Sequence, residues 1–343
     1  MGLRLVVVAA FTAMVLVPGY LAYSTGVLPG PTQASAGSAT DSAGAAYRVT
    51  SLVWPEQALG LTATGTAVLW DQRDPSPDVA GLWSYDVRTG HTGQVLGRVR
   101  TGKAAGFPSA SGEVIAWAAW AGRRGAGLPR IEAYDPDSTR RWTVAQAGHG
   151  LATAGDTVLW VERRAGGDDA IRGSNSLTDE QYFVTAHGRV REIAAWGSWA
   201  TWIGGRGKTR AVWAGSYRDA TPTKLAPAGT AVAIGRDRIL WAARRPHSTS
   251  VVSWDRRSSR STLLCRVDGA VSSLSASPRY AAWITGGKGA APQVWAYDFD
   301  ARRAFAVSPG DSRQASPVIV ADTVYWADDR SGDWELYARP LGR

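Results

Sequence analysis

The side chains able to do chemistry in this chain are few and scattered. One cysteine, Cys265, lies in the alternating run Ser261-Thr-Leu-Leu-Cys-Arg-Val267. A reactive thiolate needs a nearby base or helix N-terminus to lower its pKa. Nothing local supplies one, so Cys265 reads as a small strand residue. Of the four histidines, His149, His187 and His247 fall between strand-like runs. They could share a metal or serve as bases only if the fold brought them together, and the sequence leaves that open. The pairs Asp135/Asp137 and Asp298/Asp300 have turn-capping spacing and too few oxygen ligands for a calcium loop. Gly204-Gly-Arg-Gly-Lys-Thr209 carries the tail of a phosphate-binding loop, but the motif's first glycine would fall at Trp202 and no helix follows. It reads as a hairpin. No Gly-x-Ser-x-Gly, His-Glu-x-x-His or cysteine pair occurs. The residues therefore name no catalytic group, no metal and no cofactor.

The cations are more suggestive. The formal net charge is +9, which suits an anionic lipid, a cell-wall polymer or a nucleic acid without choosing among them. No nucleic-acid motif accompanies it. Arg123, Arg124 and Arg130 cluster in one segment, and Arg206, Lys208 and Arg210 in another. Arg244 and Arg245 follow, then Lys288. Asp71, Asp74 and Asp78 near one end, and Asp328, Asp329 and Asp333 near the other, oppose them.

These charges are positioned by a repeat. A turn residue followed by a short apolar run ends on Trp70, Trp117, Trp160, Trp202, Trp241, Trp283 and Trp326, at spacings of 47, 43, 42, 39, 42 and 43 residues. No segment has an apolar 3.6-residue period of helical length. Short runs of Val, Ile, Trp and Tyr alternate instead with Gly, Asp, Pro and Ser, as strands and turns do. About four strands fit each period, here lettered A to D. In the second repeat they are expected near 106–110, 113–120, 130–134 and 141–146. A period of about 42 residues with four strands predicts a β-propeller blade. The prediction is an all-β, seven-bladed propeller over 47–343, with six blades as the alternative. The Trp is expected between blades, where its apolar area is best buried. C strands ending at Asp86, Asp135, Asp255 and Asp298 should be followed by Asp-capped turns. A surplus strand at 48–53 should pair with the last blade and close the ring, removing two exposed edges. The arginine clusters then occupy B–C loops of blades two, four and five, on one face.

Residues 1–23 open with Arg4 and an apolar run from Leu5 to Val17, then continue to Tyr23. This describes either a secretory signal or, counted through to Tyr23, a segment just long enough to anchor in a bilayer. Residues 24–46, built of Gly, Ala, Ser, Thr and Pro, read as a flexible linker. The expected location is outside the cytoplasm, secreted or anchored at the cell envelope.

The unit Ser316-Pro-Val-Ile-Val-Ala-Asp322, Tyr325-Trp326, Asp329-Arg-Ser-Gly-Asp-Trp-Glu-Leu-Tyr337 resembles the TolB-like propeller repeat, and Trp-Asp at Trp70 and Trp254 is similar to the WD40 signature. The resemblance implies the propeller fold. It carries over no partners, since the α/β domain that precedes the TolB propeller has no counterpart here. The expected function is a non-catalytic binding module for a protein or an anionic envelope polymer, tethered through residues 5–23 or secreted. Arg123, Arg124, Arg206, Lys208, Arg210, Arg244 and Arg245 are its candidate contact residues. The alternative is a secreted lyase, lactonase or glycan-active hydrolase using His149, His187 or His247 with a metal. A purely structural surface protein is a third reading.

Overall fold

The computed structural model describes residues 45–52, 60–73, 79–100, 105–112, 114–119, 128–219, 221–287 and 290–342. The expected leader (1–23) and nearly all of the linker (24–46) lie outside these. Strand β1 (Tyr47–Ser51) comes first. Blade 1 follows as β2 (Thr62–Ala63), β3 (Ala67–Arg73), β4 (Val79–Asp86) and β5 (Thr92–Arg100). Blade 2 is β6 (Ala105–Ser111), β7 (Val114–Ala119), β8 (Arg130–Asp135) and β9 (Arg140–Ala145). Blade 3 is β10 (His149–Ala154), β11 (Thr157–Glu162), β12 (Ala170–Asn175) and β13 (Gln181–Thr185). Blade 4 is β14 (Arg189–Trp196), β15 (Trp199–Gly205), β16 (Ala211–Ser216) and β17 (Thr223–Ala226). Blade 5 is β18 (Ala231–Ile234), β19 (Arg238–Arg244), β20 (Thr249–Asp255) and β21 (Arg260–Val267). Blade 6 is β22 (Ala270–Ala276), β23 (Tyr280–Gly287), β24 (Ala290–Asp298) and β25 (Arg303–Ala306). Blade 7 takes β26 (Gln314–Val320), β27 (Thr323–Asp328) and β28 (Glu335–Pro340), and its fourth strand is β1.

Each sheet is antiparallel in simple order, and β1 pairs with β28 from Tyr47↔Ala338 to Ser51↔Glu335. The two ends of the chain are thus hydrogen-bonded in one blade, as the surplus strand predicted. The first strands touch in a closed circuit, β2 to β6, β10, β14, β18, β22, β26 and back to β2. They are the inner, A strands. Hydroxyls join their edges across blades: Thr62 Oγ1 accepts from Ala110 N at 3.2 Å, Ser109 Oγ from Thr153 N at 3.0 Å and Ser275 Oγ from Ile319 N at 3.2 Å.

All seven repeated Trp residues are buried on B strands. Six of them sit in apolar clusters shared with the preceding blade, for example Trp283 among Leu240 and Val251, and Trp202 among Leu159 and Ile171. A side chain on a strand takes one fixed face, so the Trp meets the preceding blade in each of these six repeats.

The C–D turns are capped as expected. Asp86 Oδ1 accepts from Arg88 N and Thr89 N, and Asp135, Asp255 and Asp298 act likewise. Asn175 takes the same role in blade 3. Four residues after each cap the chain turns left-handed, at Gly90, Thr139, Asp179, Ser259 and Arg302.

A basic sector on the B–C face

Because neighbouring strands are antiparallel, B–C loops and D–A connections emerge on one face, and A–B and C–D turns on the other. The junction of blades 3 and 4 gathers a cluster of titratable groups on the B–C face. Asp169, fully buried, ends the B–C loop of blade 3. Its Oδ1 accepts from Arg189 Nη1 at 2.7 Å and its Oδ2 from Val190 N at 2.9 Å. One carboxylate therefore fastens the start of blade 4 to blade 3. His149 Nε2 lies 3.8 Å from the same carboxylate and 3.3 Å from Arg163 Nη2. Burial first, then the Arg163 charge, hold the imidazole pKa below its usual value against the pull of Asp169. His149 is accordingly a neutral ring at pH 7. His187 stacks on Trp213 with centroids 4.4 Å apart.

Glycines bring three backbone segments of blade 4 close together here. A Cβ on Gly188 would stand 2.6 Å from Gly205 Cα, and one on Gly205 would stand 2.7 Å from Arg210 Cα. Only glycine permits that approach, and both have positive φ, 102° and 137°. A bulge between Val190 and Glu192 displaces Arg191 from the β14–β15 ladder. Burial and the charge of Arg210 hold the Arg191 guanidinium below its usual pKa. Two cations thus face each other's field. Among the described residues neither has an ion-pair partner, and neither do the exposed Arg244 and Arg245.

Beside them, Glu192 Oε1 accepts from Val232 N of blade 5 at 3.1 Å. The carboxyl is half-buried at the inner edge of the ring yet closely surrounded by protein, and desolvation raises its pKa to about 7.

The structure treats the sequence-predicted residues unequally. Arg123 and Arg124 lie outside the described residues, as does Lys288. Lys208 sits in a short 3-10 turn, Gly207–Thr209, which makes 204–209 the expected hairpin. Arg210, Arg244 and Arg245 stand on the B–C face. Arg206 stands in the B–C loop of blade 4 with 61% of its side chain exposed. Its Nη2 donates to the Gly166 carbonyl at 3.3 Å and lies 4.0 Å from Asp168, tying the B–C loops of blades 3 and 4 together. The acidic sector of blade 7 is corrected. Asp328 is fully buried and accepts from Ser312 Oγ, Trp326 Nε1 and Arg330. Burial pushes its pKa up, and these donors outweigh that and leave it low. Asp329 pairs with Arg313, and Asp71 is buried, while Asp74 and Asp78 lie outside the described residues. His149, His187 and His247 do not gather: among the described residues no group of three or more His, Cys, Asp or Glu is placed to hold a metal.

Arg189 and Arg191 were missed in the sequence. The signal was there, because Arg189-Val-Arg-Glu192 charges an A strand, and none of the other six A strands contains Arg, Lys, Asp or Glu.

No protein-family model matches the chain, and no curated protein does. Solved structures do. The fold is similar to oligogalacturonate lyase from Vibrio parahaemolyticus (TM-score 0.57, 9% identity), over 86% of this chain and 93% of that one. It is similar to the β-propeller domain of the Trilobed protease from Pyrococcus furiosus (TM-score 0.56, 10% identity), over 70% and 85%. It also matches a prolyl endopeptidase (TM-score 0.60, 14% identity) over 86% of this chain, which spans 50% of that one. At these identities the likeness establishes the β-propeller fold alone.

Proposed function

We propose that this propeller is an extracytoplasmic binding module that holds an acidic polymer on the B–C face of blades 3 to 5. The observation carrying the reading is the set of guanidiniums without an ion-pair partner among the described residues, Arg191, Arg210, Arg244 and Arg245, beside Arg163, Arg189 and Arg206, whose donors reach His149, Asp169 and the Gly166 carbonyl. Adjacent unpaired cations cost stability, and an arriving carboxylate or phosphate relieves that cost. The oligogalacturonate lyase in the fold comparison acts, by its name, on an acidic sugar oligomer. That makes polygalacturonate a fitting first probe, beside teichoic-type phosphate polymers. Reversing Arg191, Arg210 and Arg245 to Glu should weaken binding at least tenfold. Binding by the parent should fade between low salt and about 0.5 M salt, since exposed charges are screened within roughly 10 Å at 0.1 M. Equal binding by parent and variant, or indifference to salt, would remove the face from consideration.

Glu192 favours a second reading, an enzyme with its site at the channel mouth. A carboxyl titrating near 7 suits general acid–base chemistry. Shortening of the bound polymer by the parent but not by Glu192→Gln would select it.

A further inference from the structure

The N-terminal chain joins the ring on the face opposite the basic sector. Strand β1 runs antiparallel to β28, so Tyr47 lies beside Ala338 at the C–D end of blade 7 and Ser51 lies at the B–C end. The described chain therefore begins, at Ala45, on the A–B face. That face also carries two large apolar side chains where the repeat places none. Leu177, 72% exposed, stands two residues after the Asn175 cap of blade 3. The same turn position holds Arg88, Asp137, Arg218, Arg257 and Asp300 in blades 1, 2, 4, 5 and 6. Trp196, 41% exposed, opens the A–B turn of blade 4. Its counterparts are Thr64, Ser111, Ala154, Gly235, Ser277 and Val320. Both departures occur on adjacent blades and on one face. Both turns are also held: the Asn175 carboxamide accepts from Leu177 N and Thr178 N at 2.9 Å, and the Tyr217 hydroxyl donates to the Gly197 carbonyl. The two side chains are presented to solvent on braced turns.

We infer that Leu177 and Trp196 form a footprint that rests in the interfacial layer of a lipid bilayer, the one entered by residues 5–23. The inference rests on the reading of those residues as an anchor. Trp suits this layer because its ring is apolar with one polar N–H. Residues 24–46 would reach roughly 25–30 Å as a Gly/Ser-type coil, enough to let the A–B face settle on the surface. A footprint of two side chains is too small to hold a free protein on lipid, but tethering raises its local concentration and makes a weak contact sufficient. The consequence is an orientation. The A–B face lies against lipid, and the basic sector points away, toward polymer rather than toward headgroups of its own membrane.

The test uses the full chain reconstituted in phosphatidylcholine vesicles, with and without phosphatidylglycerol. An environment-sensitive fluorophore is placed at Thr178→Cys or at Arg245→Cys. Native Cys265 is half-buried, and Cys265→Ser removes its background. The label at 178 should be quenched by a lipid-borne quencher at least fivefold more than the label at 245, in both lipid mixtures. The double variant Leu177→Ser/Trp196→Ser should lose that difference while keeping its melting temperature and its attachment to the vesicles. Equal quenching at the two positions, stronger quenching at 245, no quenching at either, or no attachment of the chain would each overturn the inference. So would a difference that survives in the double variant, as contact through a protein-binding surface elsewhere on the face would allow. Polymer binding is read separately in solution, so it stands or falls independently of this result.

Discussion

Glu192 shows how a single residue sets a pH response. Its carboxyl is half-buried at the seam of blades 4 and 5, where it accepts from Val232 N and is desolvated by the protein packed around it. The ordinary value is 4.5 and the folded value about 7. Between these the folded chain keeps a proton that the unfolded chain has released, so stability falls as pH rises from 4.5 to 7 and levels off above. Glu192→Gln keeps the acceptor and removes the charge. It should stabilise the protein at pH 8 by about 2 kcal/mol, allowing for the water that reaches the side chain, and by nothing measurable at pH 4. Thermal melts at both pH values check this, and an equal shift at both would show that the titration is not responsible. Asp169 acts as a clasp between blades 3 and 4. Fully buried, it satisfies Arg189 and Val190 N, and Asp169→Ala should cost roughly 3–5 kcal/mol by leaving that partner charge uncompensated.

At the scale of the element, the repeated hairpin carries both the stability and the strain. Replacing Trp160 or Trp283 with Ala should cost about 3–5 kcal/mol in denaturant melts, as large aromatic truncations in cores do. A mutant that melts like the parent would mean that these rings are not core. The C–D turns need a left-handed residue four positions after the cap. Blade 1 supplies Gly90, whereas blade 2 uses the β-branched Thr139 at φ 55°. Thr139→Gly should therefore stabilise blade 2 by about 1 kcal/mol, read as a rise in the unfolding midpoint. The caps themselves are visible in sequence as Tyr-Asp or Trp-Asp pairs. The equivalent at Asn175 was not, because its neighbours in the repeat had drifted.

For the whole molecule, closure is the decisive feature. Removing residues 1–54 deletes β1, leaves β28 as an open edge and uncovers the cluster around Leu52. The melting temperature should fall by about 10 °C or more, and an unchanged value would exclude β1 as a stabilising closure. The seven-fold plan was legible from local patterns alone: the period, the Trp position, the capping aspartates and the surplus first strand. These depend on contacts within a hairpin or on strand periodicity, which neighbouring residues report. What only the tertiary structure decided was which charges are free. Asp328, expected in an exposed acidic sector, is buried, and so is Asp169. Arg206 reaches the Gly166 carbonyl, 40 residues away in sequence. Arg191, which the sequence reading did not single out, lies in the field of Arg210. Each of these outcomes is set by how loops and blades pack together, at spacings that no local pattern encodes. The same packing put the N-terminal chain and the basic sector on opposite faces of the ring.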